Sequence, residues 1–303
     1  MSLLAVNHHY YREISPDGGY YPISSALFTA EVELLRRKRR SLGQHELLDL
    51  IADSGTESGL IDTFILTFDD GLKEQMAALR DLEKLGISAL FFVPTAPLTE
   101  KKVLDVHKLH LIRAVRTDVV LLADLEKHFP VALRRLDEDA AARQYRYDND
   151  SARRVKFLLN FVLDTEERRD WIDRVFVAVV GNEVVVATKL YMDREDIRLL
   201  GKKKMLGTHA HHHVPLAQLS YDKILRDMSL SLDILTEVSG ETVKGISFPY
   251  GGPDSVSDLV VKACFSLDLS FGFTMQRGSN EISDFLTPFR LKRIDCNDVA
   301  KYT

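Results

Sequence analysis

A chain of 303 residues, 45% hydrophobic and 28% charged, has the balance of a soluble globular protein and is long enough for one large α/β domain or two smaller ones. The formal net charge of −5 excludes the basic footprint of a nucleic-acid binder, and the run Arg36-Arg37-Lys38-Arg39-Arg40, preceded by Glu31 and Glu33, reads as a solvated helix face. The two cysteines, Cys264 and Cys296, exclude a disulfide framework and a zinc-finger spacing.

Leu3 to Val6 reads as a first strand, followed by Asn7-His8-His9-Tyr10-Tyr11. Asp17-Gly18-Gly19 marks a loop, residues 29–40 and 45–52 carry helical patterns, and Ser54-Gly55-Thr56-Glu57-Ser58-Gly59 is a turn-rich link. A second strand, Thr63 to Phe68, runs into Asp69-Asp70-Gly71, so two carboxylates sit at the carboxyl end of a strand, on the turn into the helix 72–85. Gly86 stops that helix, and Ile87 to Val93 is a wholly apolar strand of the buried parallel type. Strand and helix alternate up to this point, which predicts a parallel sheet or barrel.

Residues 98–190 break the alternation. They predict a helical insertion, with helices at 103–115, 120–128, 150–163 and 166–179, and a short strand at Val184-Val185-Val186. Alternation returns after Asp193, with helices at 194–200, 220–239 and 255–265. Strands are predicted leading into the histidines at 209, then over 243–250, 269–275 and 291–295. The expected fold is a distorted (β/α)7 barrel forming a single domain over 1–303, with the insertion inside it. No stretch approaches the ~18 apolar residues of a membrane span. The first residues lack the basic, apolar and small-residue pattern of a leader, which predicts a cytoplasmic protein.

The second informative stretch is His209-Ala210-His211-His212-His213, four of the ten histidines of the chain within five positions. On their own, Asp69-Asp70 fit a solvated turn. Two imidazoles and a carboxylate together form the donor set of a divalent transition metal with open positions; His209 and His213, four apart, offer the imidazoles, and the Asp69-Asp70 turn offers the carboxylate.

These stretches resemble the motifs of the polysaccharide deacetylase, or NodB-homology, family of metal-dependent amide hydrolases. The first motif matches at Thr67-Phe68-Asp69-Asp70-Gly71. The second matches at Gly207, His209, His213 and Leu216, and the third at Phe248-Pro249-Tyr250-Gly251, in the family's order. The resemblance implies that Asp70, His209 and His213 hold a divalent metal, zinc first, with Co, Ni, Fe or Mn as alternatives. Asp69 would be the general base on a water whose pKa the metal lowers. Pro249, Tyr250 and Gly251 would line the substrate site, with a backbone N–H near Tyr250 on the oxyanion. His211 and His212 fill positions that other residues usually hold, and one of them would replace a ligand or, as His212 is expected to, line the mouth of the substrate site.

The chain departs from the family pattern in several places. Ala210 replaces a Ser or Thr, the base-orienting Arg before the third motif is missing, and no histidine follows His213 to serve as general acid. His8 and His107 are the expected substitutes for that acid, with His9 and His110 beside them. Arg293 is expected to bind substrate or to pair with Asp295. The implied reaction is removal of an acetyl or formyl group from an amino sugar, as a small-molecule, nucleotide-linked or lipid-linked glycan precursor. A non-sugar amide substrate, or a catalytically weak sugar-binding role, are the alternatives. Tyr10, Tyr11, Tyr20, Tyr21 and Tyr250 are candidate sugar-stacking surfaces.

Overall fold

The computed structural model describes residues 2–16, 18–53, 62–145, 148–252 and 255–302; the link expected at Ser54 to Gly59, and Asp17, lie outside them. The chain divides into two compact units. One comprises residues 1–14, 22–102 and 187–303, the other residues 15–21 and 103–186.

The first unit is built on parallel strands. Among the described residues these are β1 (Leu3–His8), β2 (Arg40–Ser41), β3 (Thr63–Phe68), β4 (Ala89–Val93), β5 (Leu206–Thr208), β6 (Gly245–Ser247), β7 (Phe271–Phe273) and β8 (Ile294–Asp295). They join in the order β7-β6-β5-β4-β3-β1-β8, with β2 paired to the start of β3. The pairings are parallel, and a parallel bridge between Phe273 and Leu291 curls the sheet into a half-barrel. The expected distorted barrel is therefore present. Its last three strands are shorter than predicted, because much of 243–250, 269–275 and 291–295 is spent on turns and bridges.

The strand period of two divides the side chains between faces. Leu4, Val6, Phe64, Leu66, Phe68, Phe91 and Val93 pack outward against surrounding helices, with Phe28, Leu79, Leu82 and Leu235 in the same cluster. Leu3, Ala5, Ile65, Leu90, Phe92, Phe271, Phe273 and Leu291 pack on the other face. That inner face is crowded with rings, and glycine makes room for them. A Cβ on Gly207 would lie 2.3 Å from the Phe92 ring, and one on Gly245 would lie 2.2 Å from the Phe271 ring. Farther along the strands the inner positions turn polar, to Asn7, Thr67 and Asp69, His209, Ser247 and Arg293, all buried. The period that builds the apolar core thus also stacks a polar layer at its carboxyl-terminal end.

Two helices that flank the site-bearing turns end as their sequences predict. Gln75–Leu85 stops at Gly86 (φ 65°) and Tyr221–Ser239 at Gly240 (φ 73°), both in the left-handed conformation that glycine tolerates best.

The second unit is helical. Asp105–Val115, Asp118–His128 and Thr165–Val179 are α-helices, and Asp150–Phe157 continues into a wide π turn over Leu158–Val162. Ile112, Leu121, Leu125, Val155, Trp171 and Phe176 are buried, and the Trp171 indole donates to Asp124 at 2.7 Å. The strand expected at Val184-Val185-Val186 is instead part of the helix Glu183–Leu190. The side chain of Asn182 accepts from the Val185 N–H at 3.1 Å, and helix start outweighs the β preference of three valines that no neighbouring strand covers.

Candidate active site

Asp69 and Asp70 follow β3, but they are held in different ways. Asp69 continues the inner face. Its carboxylate receives Arg293 Nη1 at 3.0 Å and Nη2 at 2.9 Å, and the Ser247 hydroxyl at 3.0 Å. Burial opposes its charge, but the Arg293 guanidinium, then His209, outweigh that cost and hold its carboxyl below the ordinary value. Asp70 breaks the strand with φ 76°, and Gly71 follows at φ 60°. The next turn is tied by Lys73 N–H to the Leu190 carbonyl at 2.8 Å and Met192 N–H to the Gly71 carbonyl at 2.9 Å. Gln75 Nε2 donates to the carbonyls of His9 (2.8 Å) and Asp69 (2.6 Å), locking the ends of β1 and β3 together.

The reversed backbone turns the Asp70 carboxylate toward two imidazoles. Its Oδ1 lies 3.4 Å from His209 Nε2 and 3.2 Å from His213 Nε2. The two rings are 4.7 Å apart at 62°, and one donor atom from each of Asp70, His209 and His213 lies within 4.8 Å of the other two. His209 Nδ1 sits 2.6 Å from the Ser247 carbonyl, an acceptor only, so Nδ1 carries the hydrogen and Nε2 turns its lone pair to the cluster. Burial alone would lower the His209 pKa, yet the carboxylates of Asp69 and Asp70 reverse the shift and raise it. The cluster therefore attracts positive charge. Two imidazole nitrogens and a carboxylate oxygen at this spacing fit zinc or a similar divalent cation.

Backbone strain concentrates here. Of the seven non-glycine residues with left-handed φ among the described residues, Asp70, Ala210, His213 and Tyr250 lie at the site. The Ser or Thr expected in place of Ala210 has substitutes one layer away. Thr208 Oγ accepts from the Ala210 N–H at 3.1 Å and lies 2.7 Å from Ser231 Oγ, while the Ser231 hydroxyl donates to the Ala210 carbonyl at 3.0 Å.

Several expectations change. Arg293 neither lines an exposed substrate surface nor pairs with Asp295. Its side chain is 0% exposed, and its guanidinium also donates to the Thr274 carbonyl, Asn7 Oδ1, Thr67 Oγ and Ser247 Oγ at 2.8–3.1 Å. The Asp295 carboxylate instead receives the Asn297 N–H at 2.9 Å, capping the next turn. The arginine missing before the third motif is thus replaced by the residue that leads into β8. His8 does not reach the site: it falls on the outer face, between Phe28 and Phe68, with Nε2 2.8 Å from Glu31 and Nδ1 3.2 Å from the Thr67 carbonyl. Strand alternation turns away from the inside every residue in register with Phe68. His9, one position on, stands with Nε2 4.0 Å from Asp70 Oδ2 and its side chain 39% exposed. His107 is buried in the second unit, its ring 6.2 Å from that of His110. The Tyr11 hydroxyl is engaged by Asp81 at 2.6 Å, so this ring packs and does not present a stacking face.

The third motif forms the other side of the cluster. Pro249 is buried, and the half-exposed Tyr250 holds its ring 5.0 Å from that of His213. Gly251 is needed for the chain itself. A Cβ there would lie 2.7 Å from Met275 N, whose N–H donates to the Gly251 carbonyl at 2.9 Å. His212 points to a different set of partners, Asp227 and Glu100.

The first unit thus combines a curled parallel half-barrel with an Asp–His–His cluster beside an arginine-held aspartate, the arrangement that the motifs at 67–71, 207–216 and 248–251 imply. Residues 186–269 match the polysaccharide deacetylase family model, a stretch that includes His209, His213, Pro249, Tyr250 and Gly251 but not Asp69 and Asp70. No curated protein sequence gives a significant match. The fold is shared with IcaB from Ammonifex degensii, at TM-score 0.60 and 15% identity over 99% of this chain and 95% of that one. It is also shared with a de-N-acetylase from Aggregatibacter actinomycetemcomitans, at TM-score 0.58 and 11% identity over 100% and 99%. The Streptococcus pyogenes deacetylase PplD, solved in complex with acetate, superposes at TM-score 0.55 and 14% identity over 97% and 92%.

Proposed function

We propose that this protein is a metal-dependent hydrolase that removes an N-acyl group, acetyl or formyl, from an amino sugar. The observation that carries the reading is the division of labour between adjacent carboxylates. Asp70 faces two imidazoles, while Asp69 is clamped by Arg293 and kept ionised beside them. Asp70, His209 and His213 would hold the cation, which when bound supplies Lewis acidity and a water of near-neutral pKa. Asp69 then accepts a proton from the attacking water, with Arg293 and Ser247 fixing its orientation. As the amide breaks, the leaving nitrogen needs a proton, which His9, with Nε2 4.0 Å from Asp70 Oδ2 and its side chain 39% exposed, would give. The turn at Tyr250, with its strained backbone, would offer a main-chain N–H and a half-exposed ring to the substrate. Deacetylase chemistry in the structural relatives supports the acyl group and the sugar.

The test is release of acetate or formate from N-acetylated and N-formylated amino sugars, presented as free oligosaccharides, nucleotide-linked sugars and lipid-linked sugars. Activity should fall on chelation, return with Zn²⁺ or Co²⁺, and drop steeply in Asp69→Asn. A metal-loaded protein inactive on the whole panel, or an Asp69→Asn as active as wild type, overturns the reading. Turnover of ureides or cyclic imides alone would move the substrate outside sugars.

A further inference from the structure

His211 and His212 lie between the two histidines of the site, yet they turn elsewhere. We infer that they form, with Glu100, a second and independent site for a divalent transition-metal ion. The His211 side chain is 3% exposed, with Nδ1 2.7 Å from Thr95 Oγ and Nε2 3.1 Å from Glu100 Oε1. His212 Nδ1 is 2.6 Å from Asp227 Oδ2, and its Nε2 is 3.5 Å from the same Glu100 Oε1. One donor atom from each of Glu100, His211 and His212 lies within 4.8 Å of the others.

The tautomers make this arrangement a site and not a chance cluster. Asp227 is 6% exposed and is itself fixed, accepting the backbone N–H of His211 at 2.7 Å and of His212 at 3.3 Å. A carboxylate only accepts, so His212 Nδ1 carries the hydrogen and Nε2 presents its lone pair. Asp227 thereby plays the carboxylate–histidine part that orients metal-bound imidazoles and raises their basicity. When Thr95 Oγ accepts the hydrogen of His211 Nδ1, the Nε2 of His211 presents its lone pair as well. Two nitrogen lone pairs and a carboxylate oxygen then converge without a hydrogen between them, and a cation satisfies all three. Lys102 Nζ, 3.0 Å from Glu100 Oε2, occupies the other carboxylate oxygen and leaves Oε1 to the histidines.

Two imidazoles with one carboxylate select the borderline ions Zn²⁺, Co²⁺ and Ni²⁺ over Mg²⁺ or Ca²⁺. The half-exposed His212 side chain leaves the site open to solvent, so its ion exchanges readily. A bound ion would also fasten the metal-bearing turn to the segment 95–100, which already donates the Ala96 N–H to the His211 carbonyl at 3.1 Å.

The test is metal content after loading the full chain with Zn²⁺ and removing the unbound ion. Wild type should carry one equivalent more than His212→Ala and one more than Glu100→Ala. Both substitutions are on exposed or half-exposed side chains, and unchanged thermal unfolding of the metal-free variants certifies their folding. Asp70→Asn should lose a different equivalent and keep the His212-dependent one. Loading with Co²⁺ gives a second readout, a visible absorption band that persists in Asp70→Asn and vanishes when His212→Ala is added. If His212→Ala and Glu100→Ala bind as much metal as wild type, or if the Asp70→Asn, His212→Ala pair loses no more than Asp70→Asn alone, the inference is overturned. Either failure leaves the Asp70 site, and the reaction proposed for it, untouched.

Discussion

Arg293 and Asp69 stand 224 positions apart in sequence and meet in two parallel hydrogen bonds, Nη1 to Oδ1 at 3.0 Å and Nη2 to Oδ2 at 2.9 Å. Both side chains are almost wholly withdrawn from solvent. Charge-assisted forks of this kind fix a carboxylate in angle as well as in charge. Arg293→Met leaves a buried carboxylate without its counter-charge, and breaking such a pair costs about 3–5 kcal/mol. Arg293→Lys keeps the charge but loses the fork. Denaturant unfolding should show the Met variant much the less stable of the two, and hydrolysis should be lost in both.

Asp69→Asn and His209→Ala should fail for different reasons. Removing the proton acceptor lowers turnover by about 10²–10⁴-fold while leaving the bound metal in place. Removing the imidazole loses metal and turnover together. Metal analysis beside the acyl-release assay separates the two, and equal metal loss in both variants would contradict the division between Asp69 and Asp70.

His9→Ala should lower turnover by about 10²-fold with substrates whose leaving nitrogen needs a proton. It should leave turnover of an activated amide or ester with a good leaving group much closer to wild type. His8→Ala should affect stability instead, since its ring packs between Phe28 and Phe68 and its Nε2 meets Glu31 at 2.8 Å. Leaving-group dependence of the rate distinguishes these outcomes.

Acid should weaken the protein through Asp81. Burial disfavours its charge, but hydrogen bonds from Lys84, Tyr11 and Ser25 more than offset this and bring its pKa from 3.8 to about 2. A carboxyl depressed in the folded state contributes stability that is fully present above its unfolded pKa and lost as pH falls through the folded one. Asp81→Asn should therefore be less stable than wild type at neutral pH, with the difference shrinking between pH 3.8 and about 2. Thermal unfolding across that range checks it.

Much of the site was legible in the sequence because its parts are local. The strand-end carboxylates and the spacing of His209 and His213 carry their chemistry in short motifs, and the parallel sheet follows from alternating apolar strands and helices. Arg293 was not legible, because only the curl of the sheet brings it beside Asp69 and only strand register tells which face it takes. Leu291, two positions earlier and packed in the inner cluster, is the signal that could have turned it inward. His8 misled for the mirror-image reason: its place at a strand end was right and its face was wrong. Asp227 and Glu100 lay too far from the histidines in sequence to be linked to them, and Val184, Val185 and Val186 followed a capped helix start against their own preference.

The pairing of Asp69 with Arg293 also bears on how the protein can be made or cut. The stretch matched by the family model, 186–269, contains neither residue, so expressed alone it would carry His209 and His213 without Asp69, Asp70 or Arg293. A nascent chain halted before Arg293, the residue that leads into β8, holds all three motifs yet lacks the guanidinium that pairs with Asp69. Closure of this pair thus waits for translation of Arg293, and a product truncated ahead of it leaves the buried Asp69 carboxylate without its counter-charge.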